Sequence, residues 1–89
     1  MTKPKPAGLT FPCAFPVKAI GVHTEDFRAN VVAIIRRHAP ELNDEAIRSR
    51  HSAGSKYLAI TATIVATSQA QLDALYRELN SYKQIVMVL

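Results

Sequence analysis

Thr24-Glu25-Asp26-Phe27-Arg28-Ala29-Asn30-Val31-Val32-Ala33-Ile34-Ile35-Arg36-Arg37-His38-Ala39-Pro40 is the stretch from which the rest of the chain can be placed. Phe27, Val31, Ile34 and Ile35 recur at i, i+4, i+7 and i+8, an apolar stripe of helical period wide enough to face a core. Thr24 stands where an N-cap belongs, with Glu25 and Asp26 as carboxylates at the positive end of the helix dipole. Arg36, Arg37 and His38 put positive charge at the other end, and Ala39-Pro40 stops the helix.

Working back from this helix, residues 17–22 read as a strand closed by Gly21 and the turn toward Thr24. Pro16 is expected to open that strand, since proline cannot sit inside a central one. In Phe11-Pro12-Cys13-Ala14-Phe15-Pro16 the prolines fix extended geometry, and the two rings are placed to anchor on the core. Residues 1–10, with Pro4, Pro6 and Gly8, read as a flexible leader, and residues 11–89 as a single domain.

Working forward, residues 41–45 are polar and acidic and read as a loop. Residues 46–51 form a short charged strand of the edge type, with Ile47 on one side and Arg48 and Arg50 on the other. Ser52-Ala53-Gly54-Ser55 is a turn whose glycine can take positive φ. Residues 57–66 are a β-branched strand: Leu58, Ile60, Ala62 and Ile64 line one face, and Tyr57, Ala59, Thr61, Thr63 and Val65 the other. Ser68 then caps a second helix, with Gln71 completing a capping box. Its buried stripe is Leu72, Leu75, Tyr76 and Leu79, with Asp73, Arg77 and Glu78 toward water, and Asn80-Ser81 ends it. Residues 85–89 are the last strand.

The order β-α-β-β-α-β predicts an α+β, ferredoxin-like sandwich: a four-stranded antiparallel sheet with two helices on one face. Right-handed crossovers put the first and third strands in the centre and leave the other sheet face open. Eighty-nine residues allow one core, and 48% hydrophobic against 20% charged residues is the balance of a soluble globular chain. One cysteine, Cys13, excludes an intrachain disulfide and any multi-cysteine metal site. The N-terminus leads into no apolar signal region and no apolar run approaches membrane-spanning length, so a cytoplasmic location without membrane partners is expected. The net charge of +4 falls to +2 once Lys3 and Lys5 of the leader are set aside, a weak nucleic-acid signal.

The chain resembles the YbeD-like family of small, uncharacterised bacterial proteins from Phe11 to Leu89. The resemblance rests on Phe11-Pro12 with Phe15, Lys18 and Gly21, Arg37-His38-Ala39-Pro40, and Ser52, Gly54 and Tyr57. It continues through Ala66-Thr67, Gln71-Leu72, Leu75-Tyr76 and Leu79 to the terminal Val86-Met87-Val88-Leu89. It implies a ferredoxin-like fold similar to ACT-type regulatory domains, which bind small effectors and control attached enzymes, and it implies no established activity.

Nothing in the residues assembles a catalytic set, so no enzyme is expected. Cys13 lies between prolines, with no base or helix N-terminus supplied locally, and reads as a packing residue. His23, His38 and His51 lack the i, i+4 spacing of a helical ligand pair, so neither metal nor cofactor is expected. Gly21, His23 and Thr24 are candidates for a ligand turn, where backbone N–H groups before a helix can hold a small effector. Glu25 and Asp26 would repel an anion there. Lys18, Arg48, Arg50 and Tyr57 fall on the open sheet face by alternation and are the partner-binding candidates, since Tyr and Arg are enriched in interface cores. The expected partner is another protein, or a second copy docking on this face or an edge strand. The alternative is weak nucleic-acid binding by the same cations. It is disfavoured because an RNA-reading sheet needs aromatics on both central strands and only Tyr57 is so placed.

Overall fold

The structure, a computed structural model, describes residues 10–89. The elements are β1 (Cys13–Val22), α1 (Phe27–His38), β2 (Ile47–His51), β3 (Tyr57–Ala66), α2 (Gln69–Ser81) and β4 (Ile85–Val88), with 3-10 turns at Asp44–Ala46 and Ala53–Ser55. The sheet is antiparallel in the order β2-β3-β1-β4, so the first and third strands are central, as the topology predicts. The leader expected over residues 1–10 lies, apart from Thr10, outside the described residues.

Strands β1 and β3 pair over ten residues, from Cys13↔Ala66 to Val22↔Tyr57. One face carries Val17, Ala19, Leu58, Ile60, Ala62 and Ile64, all buried beneath Phe27, Val31 and Ile35 of α1 and Leu72, Leu75 and Leu79 of α2. Phe11, Cys13 and Phe15 pack against this core from its margin. Among the described residues no polar or charged residue is buried, so apolar burial dominates the folding energy.

The first strand is longer than its sequence signal: it begins at Cys13 and takes Pro16 into its interior. Lys18 donates its N–H to Leu89 and accepts from the Leu89 N–H, and Val22 donates to Gln84, so even-numbered residues of β1 turn their N–H groups toward β4. Pro16 shares that parity, but pairing with β4 starts only at Lys18. Among the described residues no strand lies beside β1 there, so a ring nitrogen without a proton forfeits no ladder bond.

The N-terminus of α1 also differs. The helix begins at Phe27, Asp26 makes no side-chain capping bond, and Glu25 and Asp26 form the turn before the helix. Thr24 does not cap, because its hydroxyl donates to Gln84 Oε1 (3.4 Å) while its carbonyl accepts from the Phe27 N–H (3.2 Å). At the other end the prediction holds: Arg36, Arg37 and His38 fill the last turn and the Ala39 N–H closes on Ile35.

The acidic loop after α1 hides a core residue. Leu42 is buried because Arg36 folds the loop back, its Nε donating to the Leu42 carbonyl and its Nη2 pairing with Asp44 Oδ1, both at 3.0 Å. Gly54 takes φ +80°, as its turn requires. Ser68 Oγ accepts from the Gln71 N–H (3.0 Å), as expected of a cap, but the Gln71 side chain reaches farther than its own helix. Its Oε1 accepts from the Thr67 N–H (2.6 Å), and its Nε2 donates to the carbonyls of His38 (2.7 Å) and Val65 (3.3 Å). Glu78 does not face water as predicted: its carboxylate is bonded to Arg37 and to His38 Nε2, the latter at 2.7 Å, tying α2 to the end of α1.

Candidate functional site

The face of the sheet away from the helices is assembled by strand register. Arg48, Thr61 and Lys18 lie in one row across β2, β3 and β1. Arg50, Ala59, Ile20 and Met87 form the next row, extended into β4, and Tyr57 and Val22 the one after. All four partner-binding candidates therefore share one face. Lys18, Arg48 and Arg50, with Ser49, Ala59 and Thr61, surround a hollow of about 400 Å³. Tyr57 stands beside it, one row beyond Ala59 and 38% exposed.

The electrostatics of this face are one-signed. It carries three cations and no acidic side chain, and among the described residues none of the three is held in an ion pair. The β1–β4 side of the same face is apolar: Val22 is 41% exposed, Met87 49% and Val86 58%. A β-bulge between Ile20 and Gly21 produces this pair, because Ile85 and Val88 turn to the core and leave Val86 and Met87 outside together. Plain alternation over residues 85–89 would have separated them. Alternation along β1 already places Ile20 and Val22 on this face with Lys18, but the exposed pair Val86 and Met87 was invisible in the sequence.

The ligand-turn candidates are positioned differently from their expectation. Gly21 faces the core, where an added Cβ would meet the Gln84 carbonyl oxygen at 2.3 Å and the Phe27 ring at 2.4 and 2.5 Å. The residue is glycine because Phe27 packs through the space a side chain would need. Two N–H groups of this turn are engaged within the fold: Val22 donates to Gln84 (3.1 Å) and His23 to Lys56 (2.9 Å). The Thr24 hydroxyl is engaged with Gln84.

Histidines 23 and 51, 28 positions apart in sequence, meet edge to face with ring centroids 4.5 Å apart where β1 and β2 end. Two imidazoles fall short of the three or four donors of a zinc site, and among the described residues no three His, Cys, Asp or Glu side chains converge. Cys13 is half-buried on the helix-covered face. Tyr76 is the titratable group with a distinct environment: burial pushes its phenol above the usual value of 10.0, and its hydroxyl donates to the main-chain oxygen of Leu89 at 3.1 Å. No helix among the described residues is long and apolar enough to cross a membrane.

Comparison with known proteins identifies the family and agrees with the fold. The family model described as a protein of unknown function, DUF493, matches residues 6–89. The UPF0250 protein of Nitrosomonas europaea is 37% identical over 91% of this chain and 93% of its own length. The corresponding protein of Leptothrix cholodnii is 40% identical, covering 91% of this chain and 89% of its own. Protein HP0495 from H. pylori, known from its solution structure, superposes with a TM-score of 0.72 over 96% of this chain and 89% of its own. At 9% identity that likeness speaks for the fold alone. The full-length match and these relatives place the chain in the DUF493/UPF0250 family, the YbeD-like small bacterial proteins, whose function is unknown.

Proposed function

We propose that this protein is a non-catalytic, ACT-like regulatory or adaptor module of the cytoplasm that docks another protein on its open sheet face. Lys18, Arg48, Arg50 and Tyr57 form the contact set. The observation that carries the reading is the open face itself, with three cations outside any described ion pair around a hollow of about 400 Å³ and a half-exposed tyrosine beside them. Arginine and tyrosine side by side supply the planar hydrogen-bonding and desolvated contact that interface centres favour. The turn after β1 gives a small effector less to hold, since its Val22 and His23 N–H groups are committed within the fold.

A pull-down from native bacterial lysate at low and moderate salt tests this reading. A discrete protein retained at both salts and lost in Arg48→Ala/Arg50→Ala is the expected result. Retention unchanged in that double variant refutes the open-face contact. Nucleic acid alone, released as salt rises, refutes protein docking, because phosphate contacts weaken steeply with ionic strength.

A further inference from the structure

The open face is split along its length, and the split specifies what fits it. Arg48 and Arg50 lie on β2 and Lys18 on β1 at the far end of the Arg48–Thr61 row, while Ile20 and Val22, farther along β1, join Met87 and the bulged Val86 of β4 in an apolar strip. Arg50 and Met87 lie in one row three strand spacings apart, about 14 Å at ~4.8 Å per strand. We propose that the occupant is an acidic amphipathic helix of a partner protein. Its apolar stripe lies on Ile20, Val22 and Met87, and its carboxylates stand over Arg48, Arg50 and Lys18.

Charge and width both favour this occupant. Three cations without an acidic neighbour on the face seek carboxylates, and the adjoining exposed apolar residues seek burial from the same ligand. A nucleic-acid backbone would satisfy the first half and leave Val22 and Met87 in water. An extended segment laid on the face presents a row only one side chain wide. A helix about 10–12 Å across presents an apolar stripe with a charged row beside it at i, i+3 and i+4 spacing, and so meets both halves. It would also complete the sheet with a second helical layer.

This proposal rests on the docking reading, so its test separates the two. Thr61→p-benzoylphenylalanine puts a photo-cross-linker in the hollow, and Asp73→p-benzoylphenylalanine on the exposed side of α2 is the control. Thr63, exposed on the same face, replaces Thr61 if circular dichroism shows that the first variant is unfolded. Irradiation in native cells is followed by mass spectrometry of the linked peptides. The expected product from Thr61 is a protein segment of net negative charge with apolar residues at helical spacing. Its yield should fall about tenfold in Arg48→Glu/Arg50→Glu and stay unchanged in Arg77→Glu. Linkage to a basic, uncharged or strand-patterned segment overturns the acidic helix and leaves protein docking standing. Linkage from Asp73 only, linkage from neither, or linkage from Thr61 to nucleic acid overturns both.

Discussion

Substituting Gly21 by alanine tests the packing that the ligand-turn reading has to compete with. The added Cβ would sit 2.3 Å from the Gln84 carbonyl oxygen and 2.4–2.5 Å from two carbons of the Phe27 ring. Neither neighbour can step aside cheaply. The Gln84 carbonyl is held by the Val22 N–H at 3.1 Å, and Phe27, at the start of α1, is fully buried. Overpacking a well-filled site costs about 1–3 kcal/mol, and a clash with backbone on one side and a trapped ring on the other belongs at the upper end. In a domain of this size each kcal/mol is worth roughly 4–8 °C, so about 3 kcal/mol lowers Tm by roughly 12–24 °C. Thermal unfolding followed by circular dichroism measures it directly. Gly21→Ala/Phe27→Leu should recover part of the loss relative to the two single variants, because it relieves the ring and leaves the carbonyl clash. A Gly21→Ala protein within about 1 kcal/mol of wild type would refute the packing account and return Gly21 to candidacy as a ligand-binding glycine.

Three further outcomes follow from named contacts. Gln71→Ala removes a side chain joining the Thr67 N–H to the His38 and Val65 carbonyls, and should cost about 1–3 kcal/mol in urea unfolding. Lys18→Pro deletes the N–H that pairs with Leu89 and should destabilise the protein by more than 1 kcal/mol. Pro16→Ala, on the stretch of β1 that β4 does not accompany, should change it by roughly 0.4–1 kcal/mol; equal effects would refute the parity assignment. Tyr76 holds its phenolic proton more tightly in the folded state, so its contribution is complete below about pH 10 and is lost as pH rises through its folded value. Tyr76→Phe should therefore flatten the stability profile above pH 10, and an unchanged alkaline limb would refute burial of that phenol.

The fold was legible where periodicity and end signals agreed. Phe27, Val31, Ile34 and Ile35 all face the core, and so does the predicted apolar row of β3. The departures share one physical origin: a tertiary partner outcompetes a local preference. Thr24 has the chemistry of an N-cap, but Gln84, 60 residues away, takes its hydroxyl. Pro16 is excluded from a central strand by rule, yet β1 is central only as far as β4 accompanies it. Leu42 looked like a loop residue because its neighbours are polar, and Arg36 is what turns it inward. Helical phase alone points Glu78 to water, but Arg37 and His38 of α1 approach that side of α2.

The candidate site divides along the same line. Lys18, Arg48, Arg50 and Tyr57 were recoverable because strand alternation is local, and it brings them to one face once the strand order is known. Ile20 and Val22 follow from the same alternation along β1, but the rest of the apolar strip was not recoverable, because it depends on a bulge that puts Val86 and Met87 on the same side, against the alternation of their own strand. That bulge also decides the character of the surface. With regular pairing the edge strand would present one apolar side chain beside Ile20. With the bulge, two adjacent exposed residues join Ile20 and Val22 into a strip alongside the cations. A purely cationic face would select for phosphate or acidic side chains alone, whereas a cationic row flanked by an apolar strip selects for a ligand carrying both acid and hydrophobe. The irregularity that sequence periodicity could not anticipate is therefore the feature on which the proposed docking of an amphipathic protein segment rests.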